Sequence, residues 1–213
     1  MVKCYPYFRE DIEADLMALG VQDKIVYCEN SSEIEINDEA EVTTYSGASK
    51  LVIPYYDVVC KLPITTHRMW EEDDNGEWTD TDESWEVEDF CCIEEDNYEK
   101  AVEAGVEKAF ARCEFYGKIE NIPVYIMERA ECFPSRDKSK VDIKTEEAWR
   151  NDDLDDTWEL YIWNFFVNYY GLDFCLKLSE FMKENDINDI TSDNCGIING
   201  RPVLIDYSGY WED

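Results

Sequence analysis

Three polar residues near the end of the chain stand out by type and spacing: Asp189, Asn194 and Asp206. Asn194 follows Asp189 by five positions, and Asp206 closes the apolar run Pro202–Ile205. Carboxylates and an amide oxygen can take up a proton or give hard oxygen ligands to a divalent cation, provided the chain brings them together. A hairpin would do so. Asn199-Gly200 separates two short apolar runs, Cys195–Ile198 and Pro202–Ile205. Asn-Gly favours a tight primed turn, because both central residues tolerate positive φ. The stretch from Ile187 to Gly209 is therefore expected to form a polar loop, a hairpin and a terminal aspartate, with the three side chains close together. The same residue types also serve plain turn chemistry at a surface.

The elements that must carry this stretch can be read along the chain. Residues 6–19 predict an amphipathic helix with Phe8, Ile12, Leu16 and Leu19 on one face and Gly20 as its C-terminal cap. Short strands follow at 24–27, 34–36, 42–45, 51–53 and 58–62, the last carrying Lys61. Lysine after an apolar strand is unusual in so acidic a chain; an edge strand would use one to blunt self-association. Residues 71–96 hold fourteen acids and no base, with Trp70, Trp78 and Trp85 interspersed. An acidic hairpin or loop over 71–89 is expected, and because such a run cannot be buried unpaired, it is expected to be dispensable for folding. Glu71, Asp73, Asn75, Gly76 and Asp82 superficially match a calcium loop, but the first and last ligands are wrong and Pro63 spoils the preceding helix. Residues 94–115 predict a helix with Ala101, Val102, Val106, Ala109, Phe110 and Cys113 as its apolar stripe, beside which Glu103 lies. Strands at 118–119 and 124–127 precede a Pro/Ser/Lys-bearing connection over 132–144, and helices at 154–170 and 172–185 lead into the terminal hairpin. The fold class expected is α+β.

The terminal stretch resembles the catalytic loop and metal-binding turn of the protein-kinase-like superfamily. That family writes H-R-D-L-x-x-x-N, a hairpin, then D-F-G; this chain writes I-N-D-I-T-S-D-N, a hairpin, then D-Y-S-G. The resemblance implies that Asp189 takes the acceptor hydroxyl's proton and that Asn194 and Asp206 hold Mg²⁺ against the phosphates of ATP. It further likens Val58-Val59-Cys60-Lys61 to the strand whose lysine meets the phosphates, the turn with Gly47 to the phosphate loop, and Glu103 to the helix acid that pairs with Lys61. It implies a kinase-like two-lobe architecture: an antiparallel, β-rich N-lobe over 1–131 with an acidic insertion at 71–89, and a stunted helical C-lobe over 132–213 that ends in the hairpin. Departures are plain. Ile187-Asn188 replaces His-Arg, Tyr207-Ser208 replaces Phe, and no activation segment follows before Asp213. They imply a degenerate, compact member, a pseudokinase rather than an active phosphotransferase.

Composition bounds the alternatives. The 213 residues are 45% hydrophobic and 14% aromatic, enough for a core, and the formal net charge is −32. Such a surface repels nucleic acid and anionic membranes and favours a basic or nucleic-acid-binding protein as partner. The second reading is therefore a non-catalytic acidic inhibitor or polyanion mimic, in the style of phage or mobile-element proteins that act on a host protein. Nine scattered cysteines without C-x-x-C and no leader-like start are expected of a reduced, cytoplasmic protein. His67 is the only histidine, which argues against histidine-based nucleophilic catalysis, and no paired Cys or His spacing suits zinc.

Overall fold

The computed structural model describes residues 8–29, 31–72, 76, 78–133, 142–155, 157–188 and 190–209. The chain is α+β, with five α-helices and three sheets among these residues. It divides into two compact units: residues 1–92 with 114–127, and residues 93–113 with 128–213.

The first unit opens with helix α1 (Phe8–Ala18). Ile12, Leu16 and Leu19 are buried, as the periodicity predicts, and Gly20 ends the helix at φ 74°. Strands β1 (Val26–Cys28), β2 (Glu33–Ile34), β3 (Tyr45–Ser46), β4 (Lys50–Tyr55), β5 (Val58–Pro63), β6 (Thr66–Glu72) and β7 (Trp78–Glu86) follow. They divide between two sheets. One has the order β2-β1-β6-β7; the other is five-stranded, β3-β4-β5-β9-β8, and is completed by β8 (Cys113–Ile119) and β9 (Ile122–Glu128). Leu51, Ile53, Val58, Cys60, Leu62, Ile64, Ile119, Ile122, Val124 and Ile126 pack with α1 into one apolar core. The expectation of an antiparallel, β-rich part is corrected in one pair, because β1 runs parallel to β6. The chain leaves β1, builds β2 to β5, and only then returns as β6, and a connection of that length is what parallel pairing requires.

Helix α2 (Phe90–Ala104) begins at the end of the first unit and continues into the second. Asp89 caps it, its Oδ1 accepting from the Cys92 N–H at 2.9 Å. The expected helix over 94–115 is corrected at both ends. Gly105, at φ 68°, stops it, a 3₁₀ turn follows at Glu107–Ala109, and Cys113 onward is strand. The second unit continues with β10 (Glu131–Cys132), α3 (Ile143–Arg150), α4 (Leu160–Tyr170), α5 (Leu172–Glu184), β11 (Cys195–Ile198) and β12 (Arg201–Leu204). Its core is aromatic. Trp158 stacks on Trp163 at 4.1 Å and meets Phe166 of α4 edge-on at 5.7 Å, while Phe181 of α5 meets Phe110 edge-on at 5.8 Å. The helix predicted from Leu154 starts only at Leu160, because Asp155 folds the preceding residues into a turn: its Oδ1 accepts from Thr157, and its carbonyl from Trp163 Nε1 at 2.8 Å. Among the described residues, no helix is long and apolar enough to cross a membrane.

Candidate functional site

The terminal hairpin forms as the sequence predicts. Strands β11 and β12 pair antiparallel from Cys195↔Leu204 to Ile198↔Arg201, so Asn199-Gly200 is a two-residue turn. Both turn residues have positive φ, 52° and 79°, the requirement that Asn-Gly meets. Beta10 adds to the other side of β11 at very close range. A Cβ on Gly196 would lie 2.4 Å from the Ala130 Cβ, so only glycine fits there.

At the open end of the hairpin the Asn194 carbonyl accepts from the Ile205 N–H at 2.9 Å and the Asp206 N–H at 3.4 Å. This ties Asn194 to Asp206 across the base of the hairpin, with both residues half-buried. The Ser208 hydroxyl donates to Asp206 Oδ1 at 3.3 Å.

Tyr207 fixes this turn. It is 1% exposed, and its hydroxyl donates to the Ala111 carbonyl at 2.7 Å. Its ring meets Phe110 edge-on at 5.0 Å. Its carbonyl accepts from Asn97 Nδ2 at 2.9 Å, and its N–H lies 3.4 Å from Glu94 Oε1. Burial pushes the Tyr207 phenol well above its ordinary range, and nearby Cys113 and Glu94 push the same way, so the hydroxyl stays protonated and can donate. Gly209 closes the turn at φ 79°, where a Cβ would stand 2.4 Å from the Asp186 carbonyl oxygen. At the far end, Arg201 Nη1 donates to the Lys108 and Phe110 carbonyls, and the Tyr170 hydroxyl bonds the Pro202 carbonyl at 2.7 Å.

Glu103 is exposed. The acid on the inner face of α2 is Glu94, fully buried together with Cys91, Asn97 and Ala101. Val102, assigned to the apolar stripe, is half exposed. Glu94 and Asn97 were missed, although the spacing 91, 94, 97, 101 would have shown them had the helix been started at Phe90. Asp189, the expected proton acceptor, lies outside the described residues.

Lys61 and Gly47 belong to the first unit. Lys61 is 5% exposed and pairs with Val52 in β5, the central strand of its sheet, so the edge-strand reading of this lysine is corrected. Gly47 lies in the exposed turn between β3 and β4, its N–H donating to the Lys50 carbonyl at 3.1 Å. The neighbouring Ala48 carbonyl accepts from His67 Nε2 at 2.9 Å, and His67 Nδ1 meets the Glu29 carboxylate. The lone histidine thus clamps a turn to β6. Comparison with models of protein families, with curated proteins and with solved structures finds no match to this chain.

The oxygen donors at Asn194 and Asp206 suit a hard cation. Two protein ligands make no closed cage, but Mg²⁺ is ordinarily held by one or two carboxylates with phosphates and water completing its shell. Among the described residues there is no cluster of three or more His, Cys, Asp or Glu that could hold a metal by itself.

Proposed function

We propose that the chain is a kinase-like protein, degenerate and better described as a pseudokinase, that binds ATP with Mg²⁺ through Asn194 and Asp206 and acts through its acidic surface on a basic protein target. The observation that carries this reading is the bonding of the Asn194 carbonyl to the Ile205 and Asp206 N–H groups, which brings the backbones of Asn194 and Asp206 together at the open end of one hairpin. When bound, the metal would supply charge to neutralise phosphate oxygens. Asp206 provides the carboxylate, and Asn194 the neutral oxygen. Tyr207, Asn97 and Glu94 hold the backbone between Asp206 and Gly209 in place, so ligand positions are set before a nucleotide arrives. In this reading the acid that α2 contributes to the site is Glu94 rather than Glu103.

The test is thermal unfolding with and without ATP. Nucleotide at a hundred times its Kd should stabilise the fold by about 2.7 kcal/mol, or about 5–10 °C in Tm for a chain of this size. Mg²⁺ alone is the control, because it screens a chain of charge −32 without any site. Asp206→Asn should fold and lose the ATP response. No shift at millimolar ATP-Mg²⁺ in a folded sample would sink nucleotide binding, and an equal response in Asp206→Asn would remove the metal role from this residue.

The charge of −32 favours a second reading, an acidic inhibitor or polyanion mimic, of phage or mobile-element style, that engages a nucleic-acid-binding host protein without nucleotide. Under it, capture of basic proteins survives Asp206→Asn and weakens steeply as salt rises.

A further inference from the structure

Strand β7 is an edge. Over its nine residues it has β6 as its only strand neighbour among the described residues, so one side of its backbone offers N–H and C=O groups to an incoming chain. Folded proteins often keep edge strands very short; this one is the longest strand among the described residues. Its sequence, WTDTDESWE, carries four acids and no base, and β6 adds Glu71 and Glu72. Glu71, Glu72, Glu83 and Glu86 make no ion pair among the described residues. Trp85 lies opposite His67 and Trp78 opposite Glu72, which places the two indoles on opposite faces of the pleat. Each is about 40% exposed. Pairing slips between Arg68 and Trp70, where β7 advances from Ser84 to Asp80, so the ladder is broken in its middle and usable at both ends.

These properties select a partner. Carboxylates along the edge repel a second copy of this acidic chain, and they repel acidic or nucleic-acid ligands equally. An extended segment with alternating lysine or arginine gains on three counts: backbone hydrogen bonds, charge pairing with β7 and β6, and cation–π contact with an indole on either face. We propose that the open edge of β7 is a docking strand for an extended, basic segment of a partner protein, added to the sheet as a further strand. The proposal deepens the acidic-surface reading and rests on it.

The probe is a labelled octapeptide of alternating lysine and valine, set beside the same peptide N-methylated at alternate backbone amides. Methylation removes strand donors and leaves charge unchanged. Binding to the full chain is followed by fluorescence anisotropy at low and moderate salt. The parent peptide should bind, and methylation should weaken it about tenfold or more. The pair Glu83→Lys and Glu86→Lys should weaken it comparably, while Glu10→Lys with Glu13→Lys, the same charge change on α1, should have little effect. Equal binding of both peptides, with both variant pairs equally weakened, would overturn the docking edge and leave the general acidic surface standing. If neither peptide binds at low salt, both readings are overturned.

Discussion

Tyr207→Phe tests the clamp on which the candidate site depends. The substitution keeps the ring, its edge-on contact with Phe110 and its burial, and removes only the hydroxyl that donates to the Ala111 carbonyl at 2.7 Å. A buried neutral hydrogen bond contributes about 1 kcal/mol net, and leaving the carbonyl without this donor adds to the loss, so about 1–2 kcal/mol is expected. For a chain of this size that is about 2–8 °C in Tm. Tyr207→Ala also opens a cavity and should cost about 3–5 kcal/mol. The assay is urea unfolding followed by tryptophan fluorescence, with calorimetry for Tm. Because Asp206 keeps its carboxylate in Tyr207→Phe, the proposed ATP-Mg²⁺ response should survive. A change within 0.5 kcal/mol for Tyr207→Phe would mean that the hydroxyl does not bond Ala111, and the account of how the turn is held would fail.

Two further outcomes follow from the same geometry. Gly209→Ala forces a Cβ into the Asp186 carbonyl at a left-handed backbone position and should cost about 2 kcal/mol or more, whereas Gly47→Ala meets nothing within 4 Å and should stay within about 0.5 kcal/mol; equal effects in chemical denaturation would refute the close approach. Alkali should destabilise the fold, because burial raises the thiols of Cys60 and Cys195 and the phenol of Tyr207, and lifts Cys175 to about 12. In that window the unfolded chain ionises first and binds fewer protons than the folded one. Stability is then intact at pH 8 and falls as pH rises through 9 and 10, by about 1.4 kcal/mol per unit for each fully buried group. A urea midpoint that stays flat to pH 10.5 would contradict it.

What could be read from the sequence is what is local. Asn199-Gly200 specifies its turn through backbone freedom alone, and the hairpin formed where expected, with β12 starting one residue early at Arg201. Helix α5 matched its predicted span to within one residue, bounded by Gly171 at φ 86° and Asn185. The long-range features were not legible. Beta1 pairs parallel with β6 across forty residues, and no local signal marks that choice. The edge reading of Lys61 failed because the centrality of β5 depends on β9, far along the chain. Helix α2 shows how one boundary decides a site. A start at Glu94 and a run to Phe115 draws in Val106, Ala109, Phe110 and Cys113, and that stripe turns Glu103 toward the core. Those four residues are buried, but outside the helix, in a 3₁₀ turn, its flanks and a strand. Set at Phe90 by the Asp89 cap and stopped by Gly105, the helix instead buries Cys91, Glu94, Asn97 and Ala101. The inward acid moves by nine residues, and it is Glu94 that comes to lie against the Tyr207 backbone. Helical periodicity reports a face only within true helix ends, so here a capping aspartate, not the apolar pattern, determines which carboxylate the candidate site receives.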